Sequence, residues 1–272
     1  MTYPYIVWII LMIAVPMFII VLYAFTKQGN SVVTVNFTLA NFVRFFSEPI
    51  HLNILFRSLK IALITTSLCL LFGYPAAYFI ANLKNHHQGL IILLITLPTW
   101  INMLVRTYAW MGMLQDDGMF NIILGWIGLG PYKMLYTEWA VALVMVYNFI
   151  PFMILQIYSS LTKMDKSYLE AASDLGANRF ESFLRITLPL SLPGVISGIT
   201  LVFLPAVSSF FIPKLIGGGN YILIGNLIEN MFLQSGEWNY GSAISLIMVV
   251  IIMLSMWLTK KVDKDPTEGK RY

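Results

Sequence analysis

Glu170-Ala171-Ala172-Ser173-Asp174-Leu175-Gly176, continued through Ala177–Arg185 to Ile186-Thr187-Leu188-Pro189, lies between two long apolar runs of a 272-residue chain. It is among the most polar pieces of the middle of the sequence, and it is rich in residues that begin and end helices. Ser167 followed by Glu170 has the spacing of a capping box, in which two side chains satisfy free N–H groups at a helix start. Gly176 is where that helix ends, because glycine enters the left-handed conformation without a Cβ penalty. Asn178 and Glu181 repeat the capping spacing and start a second short helix. Phe180, Phe183 and Leu184 fall at i, i+3 and i+4 and give it one apolar face. Thr187-Leu188-Pro189 either stops this helix or turns it into the next run. The expectation is a rigid knob: two short helices with a glycine elbow, held between membrane spans.

Composition says why a membrane holds it. The chain is 58% hydrophobic and 11% charged, whereas a soluble domain carries about 25% charged residues. Mean hydropathy is +0.76. Spanning segments must satisfy their backbone groups internally, so the expected fold class is an all-α polytopic membrane protein. Net charge is +4, but the basic residues sit at the ends of apolar runs rather than among aromatics on one surface, which argues against a nucleic-acid partner. The single cysteine, Cys69, cannot form an internal disulfide or a thiolate cluster. His51, His86 and His87 are not mid-span, and no metal site is expected.

Tyr5–Phe25 is long enough to cross a bilayer and lacks a basic leader or a small-residue cleavage site, so it reads as a retained span. Further spans are expected at about 58–81, 89–114, 139–160, 189–213 and 241–259, giving six transmembrane helices with the knob between the fourth and fifth. The chain divides into 1–56 (first span and extracytoplasmic segment), a core at 57–259 with the polar connector 163–189, and a tail at 260–272. Pro75, Pro98, Pro151 and Pro205 interrupt spans and are expected to kink them. Asn41–Phe46 suits a short helix, at the interface or packed in a loop. Lys and Arg are more frequent in the loops that share a side with the knob, which predicts cytoplasmic termini and a cytoplasmic knob. Gln115–Glu138 and Lys214–Tyr240 are then the larger outer loops. Gly217-Gly218-Gly219 is a flexible point in the second, and Ile222–Leu233 is apolar enough for a short helix on or in the membrane.

No Gly-rich lysine loop, HExxH or G-x-S-x-G elbow is present, so no catalytic residue is identified and the chain is not read as an enzyme. Asp and Glu are absent from the interior of every expected span, the nearest being Glu138 at an end. An ion-coupled carrier usually keeps an acid at mid-membrane. Arg106 is the ionisable group within a span and must face protein or water. Snorkelling, or pairing with carbonyls or Glu138, explains it more simply than a direct transport role. The third span also carries Trp100, Asn102, Tyr108 and Trp110, the fourth Tyr147 and Asn148, and the fifth Ser208 and Phe210 beyond Pro205. Aromatics so spaced are more often core or interface belt, yet an organic cation crossing without carboxylates needs π-faces and neutral oxygens. These residues, with the outer acids Asp116 and Asp117, are the candidate substrate pathway.

The pattern of Glu170, Ala171, Ala172, Gly176, Ile186, Leu188 and Pro189 resembles the cytoplasmic coupling loop of the permease subunits of type I ABC importers. Gly73–Phe79, Leu97–Trp100 through Tyr108, Leu161–Gly176, Leu204–Ala206 and Gly217-Gly218 with Leu223–Asn226 are most similar to the first permease subunit of spermidine/putrescine systems. The resemblance implies that Glu170, Ala171, Ala172, Gly176, Phe180, Phe183, Leu184, Ile186, Leu188 and Pro189 couple to an ATPase. It implies a bacterial cell membrane and four partners besides lipid: a second homologous permease, two cytoplasmic ATPase subunits and an extracytoplasmic polyamine-binding protein. ATP and magnesium would belong to the ATPase, with no cofactor in this chain. A type I permease for another small solute, a secondary carrier and a membrane enzyme remain the other classes.

Overall fold

A computed structural model describes residues 7–27, 36–165, 167–219 and 221–262, without the side chains of Asn85 and 260–262. The start of the first run, Lys166 and most of the expected tail, with Lys264, Lys270 and Arg271, lie outside the described residues. Every regular element among those described is a helix. They are α1 (Val7–Ala24), α2 (Ala40–Ser47), α3 (Pro49–Ala81), α4 (Asn85–Thr96), α5 (Met103–Leu114), α6 (Met119–Trp126), α7 (Glu138–Lys163), α8 (Ser167–Asp174), α9 (Arg179–Ser182), α10 (Leu188–Ser208), α11 (Phe211–Ile216), α12 (Ile224–Leu233) and α13 (Trp238–Val262). Five helical stretches are long and apolar enough to cross a membrane, or six if a bent pair counts as one span.

α3, α7 and α10 pack on one another as the centre of the bundle. Ile61, Met145, Met153, Ile157 and Val202 are wholly buried there. Gly198 and Gly194 set how closely α10 lies on α7. A Cβ on Gly198 would stand 2.6 Å from Met153 Sδ, and one on Gly194 would meet Ser160 and, at 2.7 Å, the Gln156 carbonyl. Cys69 is fully buried in α3, with its sulfur facing the Val146 carbonyl at 3.8 Å. α1 is different. It packs chiefly on α13, and most of its side chains are exposed, as suits a helix bounded by lipid or a partner subunit.

Several boundaries depart from those the hydropathy predicts. α3 begins at Pro49, well before the expected 58, because Pro49 occupies a first-turn position where its missing N–H costs nothing. The expected span 89–114 is broken. α4 runs into a 3-10 turn at Leu97–Trp100, Ile101 is extended, and the next helical stretch leaves at 90°. Pro98 cannot donate to the preceding turn, and the Asn102 side chain accepts the Leu104 N–H at 2.8 Å to start α5 afresh. The expected span 189–213 ends as a helix at Ser208, and α11 restarts after an extended Ser209. Ile224–Leu227 are buried, so the helix foreseen at Ile222–Leu233 is tucked into the protein rather than lying on a membrane surface.

Candidate functional site: the knob and the broken span

The knob forms by local hydrogen bonding. α8 starts at Ser167, but its N–H is taken by Asp165 Oδ1 at 2.9 Å, so Asp165 supplies the cap foreseen for the Ser167/Glu170 pair. That backbone hydrogen bond holds the exposed Asp165 carboxyl below its ordinary pKa. Gly176 ends α8 with φ +80°. Ala177 N–H donates to Ala172 O and Gly176 N–H to Ser173 O, both at 2.9 Å, the paired closure of a left-handed glycine terminus. Asn178 and Glu181 form the expected reciprocal box: Asn178 Oδ1 accepts the Glu181 N–H at 2.9 Å, and Glu181 Oε2 accepts the Asn178 N–H at 3.0 Å.

α9 then continues through a π-helical turn, Phe183–Thr187, directly into α10. Of the two outcomes open at Thr187-Leu188-Pro189, the structure takes the second: the helix runs on. Pro189 sits in the first turn of α10, adjoining the widened turn.

The apolar face foreseen for α9 is divided. Phe183 turns inward and meets Tyr78 and Tyr74 edge-on, at 5.5 and 5.9 Å between ring centroids. Tyr74 in turn shares a 2.8 Å hydrogen bond with Ser191 of α10. Phe180 and Leu184 stay exposed, as do Tyr168 and Leu175, the last at 89%. The alanines divide likewise: Ala172 is buried in the chain's own packing, whereas Ala171 and Glu170 are exposed. Ile186 and Leu188 are partly buried and Pro189 is exposed. The knob is therefore anchored by Ala172, Phe183 and Thr187 and presents Tyr168, Glu170, Ala171, Leu175, Phe180 and Leu184 outward. Behind it lies a cavity of about 560 Å³ edged by Tyr78, Asn82, Ser173, Arg179 and Ser182.

The candidate pathway residues come together only in part. Trp110 meets Tyr147 edge-on at 5.2 Å and stacks on Phe120 at 5.9 Å, which joins α5, α7 and α6. Asn148 is buried, donates to Val144 O at 2.8 Å, and its Oδ1 has no hydrogen-bond partner. Phe210 and Phe211 pack at 4.0 Å. Asn102 is committed as the α5 cap, and Ser208 bonds back to Leu204 O at 3.1 Å. Trp100 and Tyr108 are exposed, as are Asp116 and Asp117 between α5 and α6. Arg106 does not pair with Glu138. Glu138 Oε1 instead takes Lys60 Nζ at 2.7 Å, while Arg106 Nε and Nη1 are buried without hydrogen-bond partners.

One acid escapes a search confined to spans. Glu229 lies on α12, its side chain only 14% exposed, with Oε1 2.6 Å from Lys214 Nζ and Oε2 buried without a hydrogen-bond partner. Its spacing with Lys214 across the triple glycine is the signal that could have found it. No cluster of His, Cys, Asp and Glu suited to a metal occurs among the described residues.

The chain is a bundle of membrane-length helices with a capped, outward-facing knob between two of them. Residues 69–267 match the family of binding-protein-dependent transport system inner membrane components, and the chain belongs to it. It is thus a permease subunit rather than an enzyme. It is 38% identical over 267 residues to the spermidine/putrescine transport system permease protein PotB of Escherichia coli (strain K12), covering 94% of this chain and 97% of that one. The protein of the same name from Haemophilus influenzae is 36% identical over 94% of this chain and 91% of its own. Among solved structures, a bacterial ABC transporter involved in importing the acidic polysaccharide alginate superposes with a TM-score of 0.75 over 96% of this chain and 94% of that one, at 20% identity. That likeness is one of fold.

Proposed function

We propose that this chain is one of two permease subunits of an ATP-driven polyamine importer, forming half of the passage and coupling it to a cytoplasmic ATPase. The observation that carries the coupling is the knob. Its backbone is fixed by two caps and a left-handed glycine, while Leu175, Phe180, Leu184 and Tyr168 remain exposed beside Glu170 and Ala171. Exposed large apolar side chains on a rigid, polar-edged projection suit a protein partner. Ala171 permits close approach of that partner, and Glu170 offers it a hydrogen-bond acceptor. ATP and magnesium belong to the partner, and an extracytoplasmic protein delivers the solute.

The solute class rests on the relatives named for spermidine and putrescine, which match this chain almost end to end. The Trp110–Tyr147 pair is chemically compatible with an organic cation, since ring faces attract it. The loop charges favour cytoplasmic termini, a cytoplasmic knob, and an outer position for Asp116 and Asp117.

The test is purification through a tag on this chain followed by reconstitution with the binding protein. A P-loop ATPase and a second permease should co-purify, and spermidine or putrescine should be taken up at the expense of ATP. Uptake of an anionic solute in preference to either polyamine would remove the solute assignment, and absence of an ATPase would remove the coupling. A topology reporter at Gly130 reading on the same side as one at Asn85 would overturn the orientation.

A further inference from the structure

Arg106 makes no ion pair among the described residues. It lies in the first turn of α5, just past the 90° break, with its N–H on Asn102 O at 3.2 Å. Its Nε and Nη1 are shielded from solvent and make no hydrogen bond among the described residues. Arg106 and Trp110 are one helical turn apart and share a face. Trp110 holds Tyr147 edge-on at 5.2 Å.

Several of the described acids are paired elsewhere. Glu138 holds Lys60 at 2.7 Å and Glu229 holds Lys214 at 2.6 Å. Asp116 and Asp117 are exposed beyond the far end of α5, about 15 Å along the helix direction at 1.5 Å per residue. Arginine keeps its proton even in such surroundings, so neutralisation by deprotonation is closed to it. A guanidinium at membrane depth without an anion is strongly disfavoured. No described residue supplies that anion, which leaves a partner subunit as its source.

A second need points to the same place. Carboxylates stabilise a polyamine crossing the membrane, and the described membrane-length helices of this chain carry none in their interiors. The second permease can supply them. From this shared requirement we infer that Arg106 is a tethered counter-ion. In the empty passage it pairs with a carboxylate of the second permease, and an incoming polyamine ammonium group displaces it from that carboxylate. The inference rests on the polyamine-importer reading and deepens it. Arg106 then acts as a built-in competitor. It neutralises the acid site while no solute is present and lowers the affinity of the passage, so that the solute is released onward.

The experiment uses the assembled complex of both permeases and the ATPase in lipid nanodiscs, with radiolabelled spermidine as probe. Arg106→Gln should bind spermidine about tenfold more tightly in the absence of the binding protein, the size of an ordinary coupling between two ligands. In proteoliposomes its KM should fall together with kcat, and Arg106→Lys should restore both towards the parent. A merely structural arginine would lower uptake without tightening binding. Unchanged or weaker binding by a correctly assembled Arg106→Gln complex overturns the inference.

If Arg106→Gln fails to assemble, the parent complex still decides. Displacement should raise phenylglyoxal modification of Arg106, mapped by mass spectrometry, when spermidine is added, and an unchanged or lower yield overturns it. A parent complex that takes up no polyamine removes the importer reading and this inference together. One that takes up polyamine while both Arg106 measurements stay flat removes the inference alone.

Discussion

Two glycines do opposite work. At the knob, Gly176 has φ +80° and nothing within 4 Å of where a Cβ would stand. In the α11–α12 hairpin, Gly225 has ordinary helical geometry but no room: a Cβ there would lie 2.7 Å from Ser208 O and 2.9 Å from Ser209 O. The first needs glycine for its backbone conformation and the second for its lack of a side chain. The knob is shaped by hydrogen bonds between near neighbours in sequence, which leaves its outer side chains free. The hairpin is shaped by contacts with distant elements. Ile224 N–H donates to Ser58 Oγ at 2.8 Å, and Asn226 Nδ2 donates to Phe210 O at 2.7 Å. One region leaves large side chains exposed on a locally fixed backbone, and the other is built into its own bundle.

The largest effect should follow from filling the crowded start of α12. Gly225→Val has to push two carbonyls aside, and overpacking of this kind costs about 3 kcal/mol. The purified complex should lose thermal stability and yield. An unchanged Tm would mean the hairpin is looser than its contacts imply.

Gly176→Val should cost less in stability, about 1–2 kcal/mol of left-handed strain, yet more in function. Val resists the turn, so α9 leaves α8 at another angle and the exposed side chains no longer form one surface. ATP hydrolysis should continue while uptake is lost. Normal uptake by correctly inserted Gly176→Val protein would show that the elbow does not set the docking surface.

The smallest effect is electrostatic. Lys214 is about half exposed, so solvent screens its bond to Glu229, and the pair contributes about 1 kcal/mol. Lys214→Glu should destabilise the hairpin further by placing like charges together, and adding Glu229→Lys should restore it. A double-mutant cycle on Tm measures the coupling, and failure of the exchange to rescue would mean that one of the charges has another task.

The contrast also explains what could be read in advance. The Gly176 terminus and the Asn178/Glu181 box are legible because each is complete within a few residues. The break after Pro98 is less so. Hydropathy runs unbroken through Leu97–Trp100, and the decisive act is that Asn102 caps a new helix, which made a candidate pathway side chain part of the scaffold. The inward turn of Phe183 could not be foreseen, because Tyr74 and Tyr78 come from a helix far away in sequence. Glu229 was hidden for a different reason: the α11–α12 hairpin that buries it reads as an outer loop when only spans are counted.

Cys69 has a practical consequence. It is the chain's only cysteine and is fully buried against α7, so reagents in solution meet no native thiol on the folded protein. A cysteine placed at Leu175, where the native side chain is 89% exposed, would carry a fluorophore or spin label without background from this chain. The tip of the knob can thus be followed as a single reporter in the folded protein.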